Sequence, residues 1–209
     1  MADSDWESTF IPGTTILANR QGFTDPVELR EYEYALTARK QRHIEQGRIR
    51  ISRTYGPAHL RSIHRALFGD LYDWAGEIRT YPMNKGMTWF ASPREIGDYL
   101  DAARRLVYGT EWEVLDHDDF AVALARIYAY LNTAHPFREG NGRAAKLFVK
   151  QLADDHARDI DYLRVDAEQW NNASAYSGPD RGSFEPVPDT LFPVFRRILV
   201  PLADDDRPP

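Results

Sequence analysis

The sequence predicts an all-α domain carrying one small β-hairpin. Helical start and stop residues recur along most of the chain, apolar residues repeat at about 3.6-residue spacing, and a single stretch has the pattern of a hairpin.

The first helix lies in TDPVELREYEYALTARKQRHIEQG, with Asp25 as N-cap, Pro26 at the first helical position and Glu28 placed for a capping box. Gly47 follows its end, and Leu29, Tyr32 and Leu36 share one face. A second helix follows Pro57, with Leu60, Ile63, Leu67 and Leu71 at helical spacing, and reaches toward DWAGEIRT. A third opens at SPRE, where Ser92 and Glu95 form a capping box ahead of Ile96, Leu100, Ala103 and Val107. A fourth begins in the acidic DHDD, favourable at a positive helix end, and carries Phe120, Leu124, Ile127 and Leu131 until Pro136 stops it. A fifth spans Arg143 to about His156, a sixth follows Val165, and a last covers about Leu191 to Leu202. The hairpin is IRTYPMNKGMTWF, with Asn84-Lys85-Gly86 as its turn.

Composition narrows the functional classes. The 209 residues fit one large domain, or a domain with extensions. No apolar run approaches the ~18 residues that cross a bilayer, and MADSDWESTF has neither a basic nor an apolar leader region. A soluble, membrane-free protein is expected. Zero cysteines exclude disulfides, thiolate metal sites and a cysteine nucleophile, and are compatible with a cytoplasmic location. A net charge of -6 argues against broad phosphate-backbone binding, so direct nucleic-acid contact is not expected.

The chemistry concentrates in NTAHPFREGNGRAAKLF. One helix ends at Ala134, HPFREG turns the chain, and the next helix opens at Asn141-Gly142-Arg143. Unpartnered N–H groups and the positive dipole end of that second helix suit a phosphate, and Gly140 and Gly142 let backbone approach it. Glu139 would repel that phosphate unless a cation lay between them, and Mg²⁺ takes one or two carboxylates plus phosphate oxygens. Arg143 and Lys146, at i and i+3, are expected to reach the same phosphate chain. His135, expected near its ordinary pKa, suits proton acceptance from a hydroxyl. Each residue also has a plainer role: His135 as a helix cap, Glu139 as a solvated acid, Arg143 and Lys146 as a solvated face, and Phe137 as the loop's buried anchor. GNGRAA matches the dinucleotide fingerprint G-x-G-x-x-A, but a helical pattern precedes it where that fingerprint requires a strand.

HPFREGNGRAAK resembles the Fic signature HPFx[DE]GNGRxxR at every fixed position but the last. LRSIHRALFGDLYDWAGEIRT is similar to the family's segment leading into its target-binding flap, and MNKGMTWFASPREI to the flap itself. The resemblance covers residues 51–176, with 1–50 as an N-terminal helical extension and 177–209 as a C-terminal helix and tail packed on the core. It implies a Fic-type helical bundle that transfers AMP from ATP to a Ser, Thr or Tyr hydroxyl of a target protein. In that scheme His135 is the base, Glu139 holds Mg²⁺, Gly140, Asn141 and Gly142 form the anion hole, and Arg143 neutralises phosphates. Met83, Asn84, Lys85, Gly86 and Met87 would clamp the target as an added strand.

Lys146 departs from the family's arginine, keeping charge while losing the bidentate fork. The departure leaves open transfer of another phosphate-containing group, or a binding-only module. The family's inhibitory pattern [ST]xxxE[GN] is met by no glutamate; Thr24 to Glu28 has the spacing, but Leu29 follows. A small antitoxin-like protein acting in trans, with this chain as the toxin, is the resulting expectation.

Overall fold

In the computed structural model, which describes residues 6–86 and 88–202, the chain is a helical bundle. The helices are α1 (Pro26–Glu45), α2 (Pro57–Phe68), α3 (Ile96–Gly109), α4 (His117–Ala134), α5 (Asn141–Asp155), α6 (Ala167–Ala175) and α7 (Phe192–Ile198). Two antiparallel pairs accompany them. The hairpin joins β1 (Asn84–Lys85) to β2 (Thr88–Trp89), and β3 (Arg158–Ile160) pairs with β4 (Leu199–Pro201). α4 takes the centre because Phe120, Leu124, Ile127, Tyr128 and Leu131 are buried on one face and Ala121, Ala125 and Ala129 on the adjoining one, and α3, α5 and α7 pack on it. Each such side chain removed from water contributes ~1.5–3 kcal/mol. α5 bridges α4 and α2, and α1 lies on α2. One continuous apolar cluster runs from Leu29 on α1 to Leu199 on β4.

The helix starts follow their caps. Asp25 accepts from the N–H groups of Val27 and Glu28, Asp116 from Asp119, and Asp166 from Gln169. The Glu95 carboxylate takes both the N–H and the hydroxyl of Ser92, so one arm of the predicted box forms, ahead of α3 proper, while the Glu95 N–H donates to the Ser92 carbonyl instead of its hydroxyl. The ends were less predictable. α2 stops at Phe68 and not near Leu71; Leu71 is still buried, but its carbonyl accepts from Arg20 in the N-terminal segment. The last helix ends at Ile198, not Leu202. Val200 precedes Pro201 and so favours extended backbone, and β3 offers an edge to pair with. The hairpin turn is also displaced. Asn84 and Lys85 are paired strand residues opposite Trp89 and Thr88, and of the three predicted turn residues only Gly86 lies in a turn.

What precedes GNGRAA is α4, not a strand, so the dinucleotide-fold alternative is overturned. Among the described residues no helix is long and apolar enough to cross a membrane.

Candidate active site

The loop between α4 and α5 starts from a strained residue. His135 caps α4 with φ 40° and ψ 57°, its N–H donating to Leu131 at 3.2 Å. A left-handed non-glycine residue costs about 1–2 kcal/mol, so neighbours must hold it. The Arg79 Nε donates to the His135 carbonyl at 2.8 Å, and Phe90 stacks on its ring at 3.5 Å and 10°. Nδ1 lies 3.3 Å from the Asn132 carbonyl. With the proton placed on Nδ1 by that contact, Nε2 is left as a lone-pair acceptor. Burial pushes the imidazole down to about 3, with Arg79 and Lys85 adding to the effect, although the residue as a whole is only half-buried. The expected ordinary pKa is thus corrected: packing under Phe90 holds the ring neutral across the physiological range.

Six residues on, the loop closes on itself. The Asn141 amide accepts from the Phe137 N–H and donates to its carbonyl, both at 2.8 Å. That side chain is therefore a brace, and only the backbone of Asn141 is left for a ligand. Phe137 is fully buried and stacks on His64 at 3.9 Å. Gly140 has φ 78°, and a Cβ there would lie 2.2 Å from Phe68 Cζ, so glycine is required by both backbone and packing. A Cβ at Gly142 would meet nothing within 4 Å among the described residues, leaving open space at the first turn of α5. Among the described residues no side chain caps that turn. Glu139 is exposed beside it, with Oε1 accepting from Gly140 N–H at 2.9 Å. The motif's variable residue, Arg138, turns away: its guanidinium stacks 3.5 Å over Trp6 and its Nε donates to Thr9.

The two cations of α5 have different partners. Arg143 Nη2 donates to Glu33 at 2.5 Å and lies 3.6 Å from Glu139, and Nη1 reaches Thr37 at 3.3 Å. Lys146 instead places its ammonium 4.2 Å over Trp170 and 5.0 Å over Tyr162. Burial pushes it down to about 8, and it has no ion pair among the described residues. Across the loop, Asn84, Lys85 and Gly86 of the hairpin are exposed and Met83 is partly buried, its carbonyl accepting from Phe90; Met87 lies outside the described residues.

Three further residues shape the site. Glu33, buried at 6% exposure, sits on the apolar face of α1 with Leu29 and Leu36, and an acid on a core face was the signal available for it. His64 accepts from Gly76 N–H through Nδ1 and donates through Nε2 to the Glu139 carbonyl, both at 2.8 Å. Burial pushes it down to about 4 and keeps that neutral tautomer. Arg79 holds the His135 backbone, and nothing in its local sequence distinguishes it from a surface arginine.

A helical bundle with a histidine and an acid on one tight loop, at an open helix N-terminus and beside a short hairpin, is the class of protein this structure defines. Residues 54–153 match the model of the Fic/DOC family. The chain is 32% identical over 164 residues to the Escherichia coli K12 protein named "Probable protein adenylyltransferase Fic", covering 78% of this chain and 80% of that one. It is 34% identical over 167 residues to "Protein adenylyltransferase VbhT" of Bartonella schoenbuchensis, covering 79% of this chain but 34% of that protein's length. The N-terminal Fic domain of a VirB-translocated Bep effector from Bartonella quintana, solved with bound ADP, superposes with a TM-score of 0.82 at 25% identity, over 93% of this chain and 95% of that one. The chain belongs to the Fic/DOC family.

Proposed function

We propose that this protein is an adenylyltransferase that moves AMP from ATP to a Ser, Thr or Tyr hydroxyl of a target protein. The observation that carries the reading is the single braced loop, which sets a neutral histidine at the end of α4 and an exposed carboxylate at the start of α5. The adenylyltransferase names of the relatives support it, including one matched over 80% of its length.

In this reading His135 Nε2 takes the proton of the target hydroxyl. The hydroxyl oxygen bonds to the α-phosphorus, the bond from that phosphorus to the β-phosphate bridging oxygen breaks, and pyrophosphate leaves. A histidine held near 3 is a weak base in the free protein; a bound triphosphate adds negative charge nearby and favours the protonated form. The N–H groups opening α5, with Gly142 leaving them uncovered, receive phosphate oxygens, and Arg143 supplies positive charge. Glu139 fits Mg²⁺, since one exposed carboxylate plus phosphates and waters makes a full shell for that ion. Held by Glu139, the ion would offset phosphate charge. The exposed Asn84, Lys85 and Gly86 offer main-chain groups to a target segment added as a strand.

Labelled ATP with Mg²⁺ and a cell lysate should label a protein band, and His135→Ala should slow that labelling by about 10²- to 10⁴-fold. Labelling undiminished in the variant would sink the mechanism. A second reading, transfer of a different phosphate-containing group, is favoured by the direction of Lys146, whose amine lies on Trp170 and Tyr162. Intact mass of a modified target after ATP, GTP, UTP and CTP in turn separates the two.

A toxin role with a small inhibitor in trans completes the proposal. Its support is that no glutamate meets the inhibitory pattern, and that Glu28 lies exposed on α1 with its N–H donated to Asp25. An inactive chain that Glu28→Ala alone switched on would oppose it.

A further inference from the structure

Arg79 is 4% exposed and has no carboxylate partner among the described residues, an expensive way to bury a charge. Its guanidinium is satisfied by backbone carbonyls alone. Nη1 donates to Tyr81 at 2.6 Å, Nη2 to Ala91 at 2.6 Å and to Ala134 at 3.3 Å, and Nε to His135 at 2.8 Å. Its own N–H donates to Pro136 at 2.8 Å.

These acceptors fall into two groups. Tyr81 and Ala91 are the two feet of the hairpin, where the chain enters and leaves it. Ala134 and His135 carry carbonyls without an amide partner among the described residues, at the C-terminal end of α4, where the helix dipole favours a cation. Ala91 N–H adds a parallel link to Thr133 at 2.9 Å, and the neighbouring Phe90 lies on the His135 ring. The fixed fork of arginine is what lets one residue reach both groups; a lysine ammonium at the same place is a point donor on a flexible stem.

We propose that Arg79 is a positioning residue that locks both feet of the hairpin to the backbone of His135, so that the docked segment and the base keep one register. The proposal rests on the transfer reading above, because it assigns the hairpin to the target and His135 to the base. Its reach into catalysis comes from the left-handed conformation of His135, whose carbonyl is held by Arg79 Nε. Losing that hold lets the imidazole drift, and a misplacement of about 1 Å is enough to cost ~10² in rate.

The test uses the full chain with Arg79→Lys and Arg79→Gln. Both should lower kcat about 10²-fold and leave KM for ATP within about twofold, since the phosphate contacts assigned above sit on α5. Amide exchange of Phe90 and Ala91 should quicken by about tenfold or more, with the amides of Leu147 to Leu152 unchanged. Folded variants that keep wild-type kcat and hairpin protection overturn the proposal. One arm needs no variant: in the wild-type protein the Ala91 and His135 amides should open together, with protection within about threefold and one denaturant dependence. Independent opening of the two overturns it, even if both variants fail to fold. If the wild type transfers nothing, the functional reading fails, and the exchange arms still decide whether the lock exists.

Discussion

The Glu33 carboxylate on α1 receives Arg143 at 2.5 Å and the Tyr72 hydroxyl at 2.5 Å. A helix outside the 54–153 family match thereby grips the first basic residue of α5. Glu33→Gln should leave Arg143 half-buried without its counter-charge and destabilise the fold by about 2–3 kcal/mol. KM for ATP should also rise several-fold. Thermal unfolding and nucleotide titration check both, and a variant indistinguishable from wild type in each would reduce the pair to packing.

The buried histidines set a direction for pH. Burial lowers His59 and His64 to about 4 and His135 to about 3, below the ordinary 6.5 of an unfolded chain. The unfolded state then binds more protons, so their contribution is fully present above about 6.5 and is lost as pH falls through 4 and then 3. Calorimetry at pH 5.5 in two buffers should register uptake of about two to three protons on unfolding. In kcat/KM for ATP, which reports the nucleotide-free protein, no limb should appear near 6.5.

The two motif glycines should separate. Gly140→Ala must enter a left-handed conformation and push Phe68, at a cost above about 3 kcal/mol. Gly142→Ala meets open space on the helix and should keep or raise stability by about 0.5–1 kcal/mol while weakening ATP binding. Urea unfolding and ATP titration of the pair make the check; equal losses of stability would contradict the packing described.

Lys146→Met should change stability by less than about 1 kcal/mol, because the desolvation it relieves and the aromatic contacts it loses offset each other. Lys146→Arg restores a bidentate fork and should lower KM for ATP. Were ATP use indifferent to both substitutions, Lys146 would have no part in holding the nucleotide.

Capping residues, first-turn acids and apolar spacing are local signals, and the helix starts at Asp25, within DHDD and just after Val165 were legible for that reason. The same holds for the loop, where HPFREG sits between two helices and NGR opens the second, as the pattern predicts. Element ends were not legible, because they depend on neighbours: Leu71 keeps helical spacing but belongs to a turn, and Leu199 leaves a helix for the β3 edge. The partners of Arg143 and Lys146 escaped sequence reading for a related cause. Two positions one turn apart on a helix still diverge when α1 stands on one side and α6 on the other.

The sequence by itself determined an all-α chain, its short hairpin and the loop on which the histidine, the acid and the glycines stand. It did so because those features arise from contacts a few residues apart. Only the tertiary structure decided what each side chain there is free to do. Phe90 and the surrounding core depress the His135 pKa, Phe137 commits the Asn141 amide, and Glu33 claims Arg143 from 110 residues away. Desolvation and long-range pairing are properties of the packed interior, and a sequence carries them only as possibilities until the helices meet.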